Sequence, residues 1–182
     1  MDGPPAWREA LSFILGPLIA VIFVLFLDNF IIINARIPSA SMENTIMTGD
    51  RLIGNRLAYK TGHIPQRGDV IIFPYPDDPN TLYIKRVIGL PGEMVTIRDG
   101  KVYINDSEEP LDDSFVPEEP IGDFGPYYIP GDDYFVMGDN RNNSWDSRFW
   151  ENQFVQESTI VGKAIFRYYP FDQMGTVEDD VF

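Results

Sequence analysis

An uncharged apolar segment near the N terminus limits the architectures open to this chain of 182 residues. The segment runs from Leu11 to Leu27, reads LSFILGPLIAVIFVLFL, and is closed by Asp28. An apolar stretch of about 17–25 residues is enough for a helix to cross a bilayer. We therefore predict one transmembrane helix in an anchor formed by residues 1–29, followed by a separate domain formed by residues 30–182.

A cleavable signal peptide is the competing interpretation of this segment. It would need a basic start, a shorter apolar core and a small-x-small cleavage site soon afterwards. Residues 1–10 contain only Arg8 against Asp2 and Glu9, and no such site closely follows Leu27. A retained anchor is therefore favoured. Its orientation is not predicted by charge, because Arg8 and Arg36 lie on opposite sides of the segment.

The charge of the chain is concentrated in its second half. Residues 1–98 contain nine basic and nine acidic residues, whereas residues 99–182 contain five basic and nineteen acidic residues, and the total net charge is −14. Such an acidic field repels phosphate backbones, which argues against nucleic acid as a partner. The balanced first half is the better candidate for lying against membrane lipid. The absence of cysteine excludes disulfides, thiolate metal sites and a cysteine nucleophile.

Beyond the anchor, short runs typical of β-strands dominate the sequence. Asp99-Gly100 between alternating apolar residues predicts a two-residue hairpin turn with both residues at positive φ. Residues 106–126 are acidic and rich in proline and glycine, so we predict a surface loop or small lobe there. The fold class is therefore mainly β, with antiparallel strands. The runs span residues 31–37, 51–59, 69–75, 82–90, 93–105, 127–139 and 159–169.

Common catalytic groups are scarce. His63 is the one histidine and cannot supply a metal cluster alone, and no nucleophile-elbow pattern supports a triad built on it. We therefore predict neither a metal nor a cofactor. The paired acids Asp77-Asp78, Asp112-Asp113 and Asp132-Asp133 lie in loops rich in proline and glycine, where acidic side chains favour turns.

Serine and lysine remain as candidates. Lys85 in the strand LYIKRVI shares a face with Tyr83 and Val87, so it is either an edge residue with its amine in water or a buried functional amine. Ser39 and Ser41 flank Ala40 after a proline, where serine commonly forms turns or caps helices. The residue types alone favour the structural interpretation for both groups.

Three segments in order, PSASMENTI, KRVIGLPG and GDNRNNSWDSR, resemble the signature boxes of the bacterial type I signal peptidase family. The resemblance covers nearly the whole chain from the anchor to Tyr169. It implies a membrane-anchored serine protease with a Ser/Lys dyad and an antiparallel β catalytic domain of two small sheets. It also implies that this domain lies on the extracytoplasmic face and that the substrates are preproteins with signal peptides.

The resemblance assigns a role to each candidate group. Ser41 would be the nucleophile and Lys85 its general base. Ser39 would place its hydroxyl in the oxyanion hole beside the Ser41 backbone N–H. Ser144 would hydrogen-bond and orient the Lys85 amine.

Supporting and substrate-binding residues follow from the same boxes. Asp146 and Arg148 resemble a pair that holds the third box in place. Small side chains at the first and third positions before the cleavage site would enter shallow apolar pockets. The residues that would line these pockets are Ile37, Met42, Ile46, Tyr83 and Ile84.

The sequence departs from the family pattern at three positions. Asn44 stands where the family usually has proline, and Ile46 replaces a usual leucine. Trp145 lies between Ser144 and Asp146, where it would serve packing or membrane contact. None of these changes removes a catalytic group.

Two alternatives stay open at this stage. The first is a dedicated processing peptidase of the same family with one substrate class. The second is a catalytically idle, anchored β module that binds extended peptides through a sheet edge. The complete set of Ser39, Ser41, Lys85 and Ser144 argues against the second.

Overall fold

The structure, a computed structural model, describes residues 6–60 and 62–177 and contains one α-helix, three short 3-10 helices and eleven strands within them. The helix α1 comprises Ala6–Phe30. The strands are β1 (Ile32–Arg36), β2 (Arg51–Asn55), β3 (Val70–Tyr75), β4 (Asp78–Gly89), β5 (Met94–Arg98), β6 (Lys101–Ile104), β7 (Phe124–Tyr128), β8 (Asp133–Met137), β9 (Val155–Gln156), β10 (Gly162–Tyr169) and β11 (Gly175–Thr176).

The predicted anchor forms a single continuous helix. Its segment Phe13–Phe30 has a mean hydropathy of 2.3, and none of it is buried against the rest of the protein. Pro17 lies inside α1, as spanning helices tolerate. Apolar side chains that find no protein partner need another apolar environment, and the length and composition of this helix suit a bilayer.

The larger sheet carries the core of the β domain. Its strands follow the order β1-β2-β10-β3-β4-β8-β9, and β11 pairs with β10. Every pairing is antiparallel, and β10 inserts between β2 and β3 although it lies about ninety residues later. One cluster of buried apolar side chains packs near the anchor-proximal strands. Its members are Ile33, Ile37, Met42, Ile46, Leu52, Val70, Ile72, Ala164 and Val177.

A smaller sheet has the order β6-β5-β7. The turn between β5 and β6 has Asp99 at a φ of 49° and Gly100 at a φ of 75°, with Arg98 paired to Lys101. The predicted hairpin is thus confirmed, as is the mainly antiparallel β fold. The predicted run 127–139 divides at Pro130-Gly131, because β7 belongs to the smaller sheet and β8 to the larger one.

Candidate active site

The topology brings the three sequence boxes together at one end of the larger sheet. The first box is the loop that follows β1 and contains Ser41. The second is the C-terminal half of β4, which contains Lys85. The third is the loop after β8, which contains Ser144. Since β4 pairs with β8, the second and third boxes are neighbours, with Arg86 opposite Met137.

The side chains of Ser41 and Lys85 meet directly. Lys85 Nζ lies 2.6 Å from Ser41 Oγ and donates a hydrogen bond to it. Lys85 is only 3% exposed and Ser41 only 8% exposed. The amine is therefore buried, and the alternative of an edge lysine with its amine in water is wrong.

The environment of Lys85 favours the neutral amine. Burial lowers the pKa of Lys85 from 10.5 to about 8, because the charged form loses its hydration. The carboxylates of Asp146 and Asp139 act in the opposite direction and raise this pKa, whereas Arg148 lowers it. A substantial fraction of the amine is thus neutral near pH 8 and able to accept a proton.

The loop that carries Ser41 is fixed to the third box by hydrogen bonds from Asn140 to the loop's backbone carbonyls. The Asn140 N–H donates to the Ser41 carbonyl over 3.2 Å, and Asn140 Nδ2 donates to the Ala40 carbonyl over 3.0 Å. Gly138 allows this approach, since a Cβ there would lie 2.2 Å from the Ser41 carbonyl oxygen. The Ser41 loop and the Lys85 strand are therefore held through one shared element.

Asn44 lies three residues after Ser41 in a short helical turn. The Ile46 N–H donates to the Met42 carbonyl over 2.8 Å, and Asn44 itself has a φ of 89°. Proline fixes φ near −65° and could not adopt this conformation, whereas asparagine tolerates it. The departure from the usual proline is thus matched by the backbone of this loop.

Ser144 lies in the same cavity as the Ser41 and Lys85 side chains. Its hydroxyl is buried and has no hydrogen-bond partner among the described residues, so the expected bond to the Lys85 amine is not formed here. Asp146 pairs with Arg148, whose Nε lies 2.8 Å from Asp146 Oδ1. Asp146 also accepts a hydrogen bond from the Gly138 N–H over 3.0 Å, so the pair braces the backbone beside Ser41.

A cavity of about 560 Å³, called here the nucleophile cavity, opens beside these groups. Ser39 is exposed at its wall, two residues before Ser41. The remaining lining residues are Ala40, Ser41, Tyr83, Lys85, Asn142, Asn143, Ser144, Trp145 and Phe149.

A second cavity of about 230 Å³, called here the apolar cavity, lies between β1 and β4. Ile37, Tyr83 and Ile84 line it, and Tyr83 also lines the nucleophile cavity. Met42 and Ile46 are 0% and 1% exposed and belong to the core cluster near β1. They lie beneath the surface and line neither cavity, and their predicted contact with substrate stays a prediction.

Reasoning from the sequence missed two buried ion pairs behind the site. Arg86 forms a bidentate pair with Asp139, with Nη2 2.6 Å from Oδ2 and Nε 2.8 Å from Oδ1. Arg141 pairs with Asp113 of the acidic segment, with Nη2 3.0 Å from Oδ1. Arg86 adjoins Lys85, and Asp139 and Arg141 stand in the box GDNRNNSWDSR, so buried charge partners for them could have been sought.

The remaining candidates from the sequence lie outside the site. His63 is exposed in the loop before β3 and lines neither cavity. The Asp77 carboxylate accepts hydrogen bonds from the backbone N–H groups of Glu151 and Asn152, which is a structural role. Within residues 6–60 and 62–177, no cluster of histidine, aspartate or glutamate has the arrangement of a metal site.

The chain is similar to known proteins over most of its length. The family model described as signal peptidase, peptidase S26, matches residues 10–169. A probable signal peptidase I-2 of Synechocystis sp. is 37% identical over 166 residues, covering 88% of this chain and 74% of the relative. A signal peptidase I of Leptolyngbya laminosa is 38% identical over 165 residues, covering 86% of this chain and 78% of the relative. A crystal structure of a signal peptidase I from Enterococcus faecalis is 34% identical, with a TM-score of 0.48, and covers 56% of this chain and 97% of that chain.

Proposed function

The chain belongs to the signal peptidase family, peptidase S26, and we propose that Ser41 and Lys85 are the dyad with which it cleaves signal peptides from preproteins. The observation that carries this proposal is the 2.6 Å contact between Lys85 Nζ and Ser41 Oγ in a buried site. The lowered pKa of Lys85, about 8, supports it because a general base must be neutral.

The reaction proceeds in two halves. Ser41 Oγ attacks the scissile carbonyl carbon while its proton moves to neutral Lys85 Nζ. The resulting ammonium gives this proton to the leaving amine, and the C–N bond breaks to leave an acyl-enzyme on Ser41. Lys85 then takes a proton from a water molecule, whose oxygen attacks the acyl carbonyl carbon. The Lys85 ammonium returns this proton to Ser41 Oγ as the bond between Ser41 Oγ and the acyl carbon breaks, which releases the signal peptide and regenerates the free enzyme.

The negative charge on the carbonyl oxygen needs donors in both halves. The Ser41 backbone N–H and the Ser39 hydroxyl supply them, in line with the exposure of Ser39 at the wall of the nucleophile cavity. Loss of one such donor reduces kcat by about 10²-fold in well-studied hydrolases. Ser39→Ala should show a loss of this order with little change in KM.

The substrate binds as an extended strand in the groove formed by the two cavities. In an extended chain, alternate side chains point to the same face. The third residue before the scissile bond enters the apolar cavity beside Ile37 and Ile84. The first residue before the bond lies next to Ser41 and Tyr83, where the space suits small side chains.

The protein is anchored by α1, and the β domain lies on the extracytoplasmic side of the membrane. A β domain on this side can reach the cleavage site of a preprotein once that site has crossed the bilayer. Anchoring also confines enzyme and signal peptide to the same membrane, which raises their effective concentration.

Cleavage of a preprotein followed by mass spectrometry tests the function. The detergent-solubilised wild type should cut after a small-x-small sequence, whereas Ser41→Ala and Lys85→Ala should leave the preprotein intact while remaining folded. Near-normal cleavage by Lys85→Ala would refute the dyad.

The orientation of the anchor can be measured separately. The chain contains no cysteine, so Ser107→Cys in the β domain introduces a single thiol. A maleimide that cannot cross membranes should label this thiol in cells whose cytoplasmic membrane is intact and whose outer envelope layers have been made permeable. Labelling only after the cytoplasmic membrane is permeabilised would contradict the proposed side.

A further inference from the structure

Trp145 forms a rigid aromatic wall of the nucleophile cavity. Its indole is 56% exposed, yet its Nε1 donates a hydrogen bond to Tyr75 Oη over 3.1 Å. One face of the ring stacks on Phe149, with ring centroids 5.5 Å apart and planes 13° apart. The indole is thus held in place with apolar surface open to the cavity, a geometry that suits contact with a substrate side chain.

An acidic segment adjoins the nucleophile cavity through its backbone. Asn142, which lines the cavity, donates through Nδ2 to the Glu119 carbonyl over 3.1 Å and accepts from the Ile121 N–H over 3.0 Å. Glu118 and Glu119 are both exposed. They belong to residues 106–123, which include eight acidic residues and no lysine or arginine.

The aromatic wall continues from the cavity toward this acidic segment. Phe149 contacts Phe124 edge to face, with centroids 5.2 Å apart, and Phe124 directly follows the acidic segment. The backbone of residues 119–124 therefore adjoins two lining residues of the cavity, Asn142 and Phe149. Trp145, Phe149 and Asn142 line the nucleophile cavity and do not line the apolar cavity, which shares only Tyr83 with it.

The next step rests on the proposed function. If the residues before the scissile bond occupy the apolar cavity and the space beside Ser41, the residues after it leave toward Trp145. In an extended chain, the second residue after the bond points to the same face as the first and third residues before it. That side chain therefore meets the indole of Trp145.

We propose that Trp145 and the exposed carboxylates of Glu118 and Glu119 in the adjoining segment select a lysine or arginine at the second position after the scissile bond. A cation over an indole face is stabilised by the ring quadrupole, and the carboxylates add attraction of longer range. Trp145 is thus a specificity-determining residue of the signal peptidase reaction.

A substrate series with one variable side chain tests this proposal. Three otherwise identical peptides carry lysine, glutamine or glutamate at the second position after the scissile bond, and kcat/KM is measured with the solubilised full chain. The wild type should cleave the lysine peptide about three- to fivefold faster than the glutamine peptide. The glutamate peptide should be slowest, and added salt should reduce the difference between the lysine and glutamate peptides.

Variants separate the contribution of Trp145 from that of the two glutamates. Each variant is judged by the ratio of kcat/KM for the lysine peptide to kcat/KM for the glutamine peptide, because a general loss of activity lowers both values equally. Trp145→Ala should bring this ratio close to one, whereas Trp145→Phe should retain part of it. Glu118→Gln with Glu119→Gln should lower the ratio as well. Phe171→Ala removes another exposed ring, 75% exposed on the turn after β10, and should leave the ratio unchanged.

Equal wild-type rates for the lysine and glutamine peptides would overturn the inference while leaving the peptidase function intact. A full lysine preference in Trp145→Ala would also overturn it. If the wild type cleaves none of the three peptides, the proposed function fails and the inference fails with it.

Discussion

Raising the pH from 6 to 9 should increase the rate of signal peptide cleavage with a midpoint near pH 8. The reason is the buried amine of Lys85, whose pKa is lowered from 10.5 to about 8 by desolvation. Only the neutral amine can accept the Ser41 proton, so kcat/KM should follow the neutral fraction. This fraction is about 1% at pH 6, about 10% at pH 7 and about 90% at pH 9 for a pKa of about 8.

The assay is the initial rate of cleavage of a fluorogenic peptide with a small-x-small site, measured under kcat/KM conditions. The rate should rise about tenfold per pH unit well below pH 8 and flatten above pH 9. Tryptophan fluorescence at each pH serves as a control for folding. A rate that is flat between pH 6 and 8, or that keeps rising toward pH 10.5, would refute the assignment of Lys85 as a base with a lowered pKa.

Three further predictions concern stability and geometry at the same site. Lys85→Met should abolish turnover, yet its free energy of unfolding at pH 7 should exceed that of the wild type by up to about 3 kcal/mol, because the folded state no longer holds a buried charge. Since the pKa of Lys85 is lower in the folded than in the unfolded state, this difference should shrink as the pH rises from 8 to 10.5. Urea titrations that give the same difference at every pH would contradict this explanation. Ser144→Ala removes a hydroxyl without a hydrogen-bond partner, so it should change the free energy of unfolding by less than about 1 kcal/mol. It should still lower kcat about tenfold or more, because we expect Ser144 to orient the Lys85 amine during the reaction. Unchanged kinetics would remove Ser144 from the mechanism. Gly138→Ala would put a Cβ 2.2 Å from the Ser41 carbonyl oxygen and 2.3 Å from Ser144 Oγ, so it should cost about 1–3 kcal/mol of stability and reduce cleavage, whereas a wild-type melting curve would show that the loop adjusts freely.

Local features of the fold were predictable because their causes are local. Asp99-Gly100 supplies the positive φ values that a two-residue turn needs, so the β5–β6 hairpin follows from a few adjacent residues. The length and composition of the apolar run likewise predict α1. Alternation of side chains in β4 placed Lys85 and Tyr83 on one face, and Lys85 Nζ indeed lies 5.4 Å from the centroid of the Tyr83 ring.

Features that depend on distant segments could not be predicted in this way. The position of β10 between β2 and β3 depends on side chains about ninety residues apart, and nothing in either run specifies that register. The division of residues 127–139 between two sheets has the same origin. The strands before and after Pro130-Gly131 join different sheets, and each sheet is completed by strands from distant parts of the chain.

The candidate site shows the same distinction. Residue types alone left Lys85 open between two interpretations and favoured a structural role for Ser41, which lies 44 residues away. Only the joint pattern of three boxes indicated that these groups meet. The contacts that hold them, through Asn140 and Gly138, join segments about one hundred residues apart, so neither segment reveals them by itself.

The most direct test of the Ser41/Lys85 dyad is covalent labelling of the nucleophile. The solubilised full chain is incubated at pH 8 with an acylating β-lactam-type inhibitor, and the adduct is located by mass spectrometry of its peptides. The dyad predicts one acyl group on Ser41 in the wild type and little or none in folded Lys85→Ala over the same time. An adduct on a different residue, or acylation of Lys85→Ala at the wild-type rate, would contradict it.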